Sequence, residues 1–203
     1  SEADPTATQI EGMRQLIEQG MDEGAFGMSS GLTYAPGAYA RTPELVSLSE
    51  VVAEHRGIYA THMRNEGSRL VEAVAEAIEI GEKAGVSVQI SHHKAAGNFN
   101  WGKVKTTLGM IDDANLRGLE IHSDVYPYTA GSTVLTAMFL PLWAFEGSTE
   151  RMLERMKDPE TRARIIKDSK EQLLAYVDLP KWLSRVPKKW LLPIVLKKMG
   201  DVV

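Results

Sequence analysis

The sequence predicts an α/β fold built from parallel βα units, arranged as part of a (β/α)8 barrel with a C-terminal helical extension. Short apolar segments alternate with helical patterns, one pair in roughly every 30 residues, which is typical of parallel sheets with helical crossovers. Successive strands end in His, in His-His-Lys and in Asp-x-Tyr, and in a barrel such strand ends meet at one mouth. No strand is followed by a Gly-x-Gly-x-x-Gly turn, which disfavours the alternative of a nucleotide-binding doubly wound sheet.

Helical and strand patterns alternate from the start of the chain to about residue 124. Apolar residues three or four positions apart, among them Ile10, Met13 and Ile17, indicate the first helix, and Pro43 is typical of a helix start. The predicted helices cover residues 5–24, 42–56, 66–84 and 103–117. The predicted strands cover residues 25–29, 58–62, 86–90 and 119–124.

The pattern changes after residue 131. Residues 133–145 are apolar and uncharged, and residues 148–176 have a helical periodicity. The balance of charge also changes near residue 150, from acidic to basic. We therefore expect a partial barrel over residues 1–135 and a basic helical extension over residues 136–203.

The tail, residues 181–198, alternates apolar and basic residues. This pattern is typical either of a helix on a membrane surface or of a helical excursion packed against the barrel. Pro187 and Pro193 interrupt any long amphipathic face, so they favour the second interpretation, without a membrane.

Composition excludes several classes of protein. With 203 residues, 43% hydrophobic and 25% charged, the chain resembles soluble globular proteins, and no apolar run reaches the roughly 18 residues of a membrane-spanning helix. The chain contains no cysteine, which excludes cysteine-based zinc sites within it and fits a reducing compartment, so we expect a cytoplasmic protein. The acidic start predicts no secretory signal, and a net charge of −4 predicts no nucleic-acid partner.

Histidines give the sharpest functional signal. His62 and His92 each close a predicted strand, and imidazoles that converge from neighbouring strand ends are typical Zn²⁺ ligands. A strand-end histidine taken alone is equally typical of a packed, hydrogen-bonded residue, and two ligands are fewer than the about four that zinc needs. His93 should face the opposite way and be either packed or placed behind the ligands as their support, while His55 should be solvated on a helix. His122 lies within a strand, and the sequence leaves open which face it occupies.

Further polar side chains near the strand ends indicate a substrate pocket. Asp124, Tyr126 and Tyr128 follow one another at alternate positions, and a phenol near a metal can polarise a carbonyl. Lys94 and Arg64 offer positive charge suited to a substrate carboxylate, although an ordinary salt bridge is an equally frequent role for each.

Four segments within residues 5–135 form a series that is far more specific than any one of them. They are AFGMSSGLTYAP (25–36), GIYATHMRNEG (57–67), ISHHK (90–94) and DVYPYTAGS (124–132). Together they resemble the N-acyl-D-amino-acid deacylases (D-aminoacylases) of the amidohydrolase superfamily. The resemblance implies a zinc-dependent (β/α)8 barrel with one or two Zn²⁺ ions that hydrolyses the amide of N-acyl-D-amino acids. In that chemistry a metal-activated water attacks the acyl carbonyl, and an aspartate on the eighth strand is the base.

The resemblance also implies roles for individual residues. It makes His62 and His92 metal ligands on the fifth and sixth strands of the family's barrel, and it makes Tyr126 the residue that polarises the carbonyl. The substrate-pocket residues that it implies are Lys94, Tyr34 and Ser132, with Arg64 as an addition.

The chain departs from the family's pattern in its metal ligands. The family's site also uses a His-x-His pair and a cysteine from early strands, and neither occurs in this sequence. The eighth-strand aspartate would lie beyond the helical excursion in which the sequence ends. The chain therefore looks like strands four to seven of a larger enzyme, and we expect self-association or a parent polypeptide that supplies the rest of the barrel.

Two other functions stay open at this point. A non-catalytic remnant or binding module with the same fold would be insensitive to replacement of His62 or His92. Another amidohydrolase, such as a ring-opening dihydropyrimidinase-like enzyme, would use the same scaffold. The His-His-Lys and Asp-Val-Tyr-Pro-Tyr segments favour the deacylase, with a small N-acyl-D-amino acid as its substrate.

Overall fold

A four-stranded parallel sheet organises the first part of the chain in the computed structural model, which describes residues 4–97, 100–174 and 190. The strands are β1 (Gly27–Gly31), β2 (Ile58–His62), β3 (Ser87–Ile90) and β4 (Ile121–Ser123). Every neighbouring pair is parallel, and the order in space is the order in sequence. A doubly wound sheet reverses its strand order at a switch point, whereas a barrel adds strands sequentially. The partial (β/α)8 barrel is therefore confirmed.

Helices connect the strands, as the crossover of parallel strands requires. They are α1 (Ala7–Asp22), which precedes β1, and then α2 (Thr42–Glu54), α3 (Leu70–Ala84) and α4 (Lys103–Leu116). Thr6 and Gln9 form a capping box at the start of α1, and Pro43 occupies the first turn of α2. Helix α3 ends at Gly85, whose left-handed φ of 67° suits glycine.

Helix α3 begins four residues later than the sequence predicts. The side-chain oxygen of Asn65 accepts hydrogen bonds from the backbone N–H groups of Gly67 and Arg69, at 2.9 and 3.0 Å. This local turn competes with helix formation, because a short polar side chain satisfies the backbone donors that a helix would otherwise use. Glu66 therefore lies in a loop next to the end of β2 rather than on the helix.

The core lies between the helices and one face of the sheet. Alternate strand residues are buried on this face: Tyr59, Thr61, Val88, Ile90 and Ile121. They pack with buried helix residues that include Val52, Leu70, Val74 and Ile80. Full burial of an aliphatic side chain contributes about 1.5–3 kcal/mol, so this layer holds the strand ends in place.

The opposite face of the sheet carries two of the histidines. Strand alternation places Ala60 and His62 there, and Ala60 is in register with Gln89, which is in register with His122. His122 is exposed on this face. The structure thus settles which face His122 occupies.

The described residues fall into two compact units, one formed by residues up to 96 together with 100–131, and one formed by residues from 132 onward. The second unit contains α5 (Leu135–Phe139), α6 (Thr149–Lys157) and α7 (Pro159–Leu174). These helices confirm the predicted helical periodicity up to residue 174, and the basic tail at 181–198 lies outside the described residues except for position 190. No helix in the part of the chain described here combines the length and apolar character needed to cross a membrane.

Candidate metal centre

His62 and His92 meet at the carboxyl end of the sheet. His62 is the last residue of β2, and His92 follows the end of β3 by two residues. The Nδ1 atom of His62 lies 2.6 Å from the Nε2 atom of His92. The two rings meet edge to face, with centroids 4.4 Å apart. The structure therefore brings together the two histidines that the sequence singles out.

A left-handed backbone conformation directs His92 toward His62. If β3 continued regularly, residue 92 would share the buried face of Ile90. Instead the strand ends, and His92 adopts a φ of 43°, which is unfavourable for a residue with a side chain. His93 then points into the core, where it is 6% exposed and its Nε2 atom lies 2.9 Å from the hydroxyl of Thr107. The prediction that His93 is a packed residue is confirmed.

Asp124 holds this strained turn in place. One of its carboxylate oxygens accepts a hydrogen bond from the backbone N–H of His92 at 2.6 Å. Its other carboxylate oxygen accepts one from the amide of Gln89 at 2.8 Å, and its backbone carbonyl accepts one from the N–H of His93 at 2.8 Å. The aspartate beyond β4 therefore positions the segment that carries His92.

Glu66 joins the histidine pair to Lys94. One carboxylate oxygen of Glu66 lies 2.6 Å from Nδ1 of His92, and the other lies 2.6 Å from Nζ of Lys94. Lys94 also donates to the backbone carbonyl of His92 at 2.8 Å. The sequence analysis missed Glu66, although its place four residues after His62, in a polar segment at a strand end, was an available signal.

The environment favours the neutral form of His62. Burial lowers the pKa of His62, and the neighbouring imidazole of His92 lowers it further, while the carboxylate of Glu66 opposes both effects. Burial is also the main cause of the lowered pKa of His93. A neutral imidazole is the form that can donate a lone pair to a metal ion.

Tyr126 lies close to the histidine pair. Its ring centroid is 6.4 Å from that of His92, and Nζ of Lys94 lies 5.2 Å from the Tyr126 ring centroid. A Cβ atom at Gly131 would lie 3.0 Å from the Tyr126 hydroxyl oxygen, so glycine leaves room for that hydroxyl. Tyr128 is farther out and is 75% exposed.

Arg64 is engaged by the protein itself. Its guanidinium donates to both carboxylate oxygens of Glu76, each at 2.9 Å. It also donates to the backbone carbonyls of Ala38 and Ala40, at 3.0 and 2.8 Å. Of the two roles that the sequence leaves open for Arg64, this geometry favours the salt bridge.

The two remaining predicted pocket residues lie in different parts of the chain. Tyr34 is half-buried in the loop after β1, and a Cβ atom at Gly31 would lie 3.2 Å from its ring. Ser132 is exposed and belongs to the second unit. Their roles in a pocket stay predictions.

The donor set suits zinc only as part of a larger site. One nitrogen of each imidazole lies at the carboxyl end of the sheet, 2.6 Å from the other, but zinc takes about four ligands. Within the described ranges, no group of three or more His, Cys, Asp or Glu side chains is arranged to hold a metal ion. His62 and His92 could therefore supply at most two of the ligands of such a site.

Comparison with known proteins shows which proteins share this fold and sequence. No family model matches the chain. The D-aminoacylase of Alcaligenes xylosoxydans xylosoxydans is 45% identical over 130 residues, which is 64% of this chain and 27% of that protein. The sequence resemblance to the N-acyl-D-amino-acid deacylases is thus confirmed over about two thirds of the chain.

Solved structures show the same likeness. The N-acyl-D-glutamate deacylase of Bordetella bronchiseptica, solved with zinc and a phosphonate inhibitor, matches with a TM-score of 0.61 at 40% identity over 63% of this chain and 27% of its own. A D-aminoacylase with a binuclear metal centre matches with a TM-score of 0.62 at 39% identity, over 66% of this chain and 29% of its own. The chain thus spans somewhat more than a quarter of the length of these relatives.

Proposed function

We propose that this chain contributes the part of a zinc-dependent enzyme that contains His62 and His92, and that the enzyme hydrolyses N-acyl-D-amino acids to a D-amino acid and a carboxylate. The observation that carries the proposal is the pair of imidazoles, 2.6 Å apart at the ends of two adjacent parallel strands. The identity of about 40% to deacylases over the same segment supports the choice of reaction. We assign residues 1–135 to the barrel and residues 136–203 to a helical extension.

Each residue of the site has a chemical role in this proposal. His62 and His92 would hold one or two Zn²⁺ ions together with ligands from elsewhere, and bound zinc would supply a Lewis acid for the amide carbonyl and its attacking water. Tyr126 donates its phenolic proton in a hydrogen bond to the carbonyl oxygen, where negative charge develops. Lys94 pairs with Glu66, and unlike Arg64 it also lies beside Tyr126, so we keep it as the positive charge for the substrate carboxylate. Tyr34 and Ser132 are proposed as pocket residues on the motif match alone.

The rest of the site must come from outside the described residues. In the described sheet β1 and β4 each pair with one strand only, so both edges offer backbone groups for further strands. We propose that further parts of a longer polypeptide, or failing those a second copy of the chain, supply the remaining strands, metal ligands and catalytic base. Arg64 is left out of the pocket because its donors already bond to Glu76 and to backbone carbonyls.

A substrate panel tests the proposal. The polypeptide encoded by the reading frame that contains these residues is purified, its intact mass is compared with that frame, and it is loaded with zinc. Its hydrolysis of N-acetyl-D-glutamate, N-acetyl-D-aspartate and N-acetyl-D-leucine is then compared with that of the L-enantiomers and of cyclic imides. His62→Ala and His92→Ala are measured beside His55→Ala, a control at an exposed histidine that follows helix α2.

We expect hydrolysis of the D-substrates that falls to background in His62→Ala and His92→Ala and stays unchanged in His55→Ala. Ring opening of the imides without cleavage of acyl-D-amino acids would replace the deacylase with the ring-opening alternative. An absence of any zinc-dependent hydrolysis would overturn the proposal in favour of a binding module.

A further inference from the structure

We infer that Glu66 is a positioning residue of the candidate metal centre, which holds the ring proton of His92 on Nδ1 and so keeps Nε2 available to bind a cation. The inference deepens the proposed function, since it concerns the same site and rests on it. It assigns to a loop carboxylate the task of choosing which nitrogen of His92 faces His62.

The distances fix the position of the proton. A carboxylate oxygen carries only lone pairs, so a neutral imidazole nitrogen 2.6 Å away must carry the proton that lies between them. Nδ1 of His92 is therefore the donor to Glu66, and Nε2 is left with its lone pair. That lone pair points at Nδ1 of His62, 2.6 Å away, so in the metal-free chain Nδ1 of His62 must carry the proton that lies between the two nitrogens.

Lys94 supports this arrangement. Its ammonium group lies 2.6 Å from the second oxygen of Glu66, which fixes the orientation of that carboxylate. Nζ of Lys94 also lies 3.0 Å from Nδ1 of His92. A hydrogen bond from Lys94 to that nitrogen would require a lone pair on Nδ1. That lone pair would face the carboxylate oxygen of Glu66, which is nearer and repels it. The shorter contact decides that Nδ1 is protonated.

The backbone holds Glu66 where its side chain can act. Its carbonyl accepts a hydrogen bond from the N–H of Ala96 at 2.7 Å, which ties the loop after β2 to the segment that follows His92. The side chain is 21% exposed and that of His92 is 24% exposed, so neither is free to rotate into solvent at little cost. The carboxylate is thus part of a closed ring of contacts rather than a surface ion pair.

The experiment measures the position of the ring proton and the binding of metal independently. Ring ¹⁵N chemical shifts of the metal-free polypeptide encoded by the full reading frame, recorded at pH 8, report the tautomer of His92, and competition with a chelator reports its zinc affinity. Glu66→Ala removes the acceptor, Glu66→Gln keeps an acceptor oxygen without the charge, and Glu79→Ala is the control at an exposed ion pair on α3. Circular dichroism verifies that each variant is folded. If Glu66→Ala does not fold, the zinc affinity of Glu66→Gln is compared with that of Glu79→Ala instead.

We expect the Nδ1–H tautomer in the unmodified chain, in Glu79→Ala and in Glu66→Gln, and its loss in Glu66→Ala. Zinc affinity should fall by about 10–100-fold in Glu66→Ala, as for other carboxylates that orient a ligating histidine, and by less in Glu66→Gln. An Nε2–H tautomer in the unmodified chain, or a tautomer and zinc affinity in Glu66→Ala equal to those of Glu79→Ala, would overturn the inference. A chain that shows the expected tautomers but binds no zinc would overturn the metal part of the proposed function and leave the role of Glu66 in orienting His92.

Discussion

The ion pair between Arg64 and Glu76 offers a quantitative test of how this fold is stabilised. Glu76 accepts two hydrogen bonds from Arg64 at 2.9 Å and one from the hydroxyl of Thr42 at 2.9 Å. The two charged side chains are 28% and 14% exposed. Removal of one partner of a fully buried pair costs about 3–5 kcal/mol, and exposed pairs contribute at most about 1 kcal/mol. We expect Glu76→Gln, which leaves Arg64 unpaired, to lower the free energy of unfolding by about 2–3 kcal/mol.

The companion variant Arg64→Leu should cost about 3–4 kcal/mol, because it also leaves the carbonyls of Ala38 and Ala40 without their donor. The double variant should cost less than the sum of the two by about 1–2 kcal/mol, since neither charge is then left unpaired.

Native-state hydrogen exchange of the amides in β2 and α3 measures these free energies within the unit that contains the pair. The matched control is Glu79→Gln, because Glu79 pairs with Lys83 at 2.6 Å with side chains that are 45% and 61% exposed. This control should change stability by no more than about 0.5 kcal/mol. If Glu76→Gln costs no more than Glu79→Gln, or if the two Arg64 and Glu76 variants are additive, the reasoning from burial is wrong.

Two further predictions concern the core. Gly81→Ala should destabilise the fold by about 1–3 kcal/mol, because the new Cβ atom would lie 2.7 Å from a methyl group of Val88. In Gly109→Ala, in α4, the new Cβ atom has nothing within 4 Å, so helix propensity should raise stability by up to about 1 kcal/mol. Urea unfolding measures both variants. A lower stability for Gly109→Ala than for Gly81→Ala would contradict the packing described above. Burial raises the pKa of Tyr59 above 10.0 and outweighs the opposing hydrogen bonds from Ser30 and Thr61. The stabilisation from its protonated phenol is therefore fully present below pH 10 and is lost as the pH rises through the folded-state pKa. Unfolding midpoints between pH 8 and 11 should fall more steeply in the parent protein than in Tyr59→Phe. Parallel profiles for the two proteins would contradict the prediction.

Elements with a clear period could be predicted from the sequence. Strand β2 occupies residues 58–62 as predicted, because its apolar residues are bounded by Gly57 and a polar segment. Strand β1 begins two residues later than predicted, at Gly27. It pairs with β2 so closely that a Cβ atom at Gly27 would clash with the backbone of Ile58. Glycine is therefore required there by the neighbouring strand, which the sequence of β1 alone does not reveal.

The site could be predicted only in part, because its geometry depends on contacts between distant segments. That His62 and His92 lie together follows from their positions at adjacent strand ends. The left-handed turn at His92 depends on Asp124, which lies 32 residues away. The polar segment at the end of β2 marks Glu66 as a candidate, but its role, like that of Arg64, depends on partners from other elements.

The zinc stoichiometry of the polypeptide encoded by the full reading frame, which supplies any further metal ligands, tests the central claim most directly. Equilibrium dialysis at neutral pH compares the unmodified chain with His62→Ala, His92→Ala and His122→Ala, in which the last replaces an exposed histidine on the same face of the sheet. We predict that zinc binds to the unmodified chain and to His122→Ala, and that binding is lost in both of the other variants. Equal zinc binding by all four proteins, or none by the unmodified chain, would contradict a metal centre at His62 and His92.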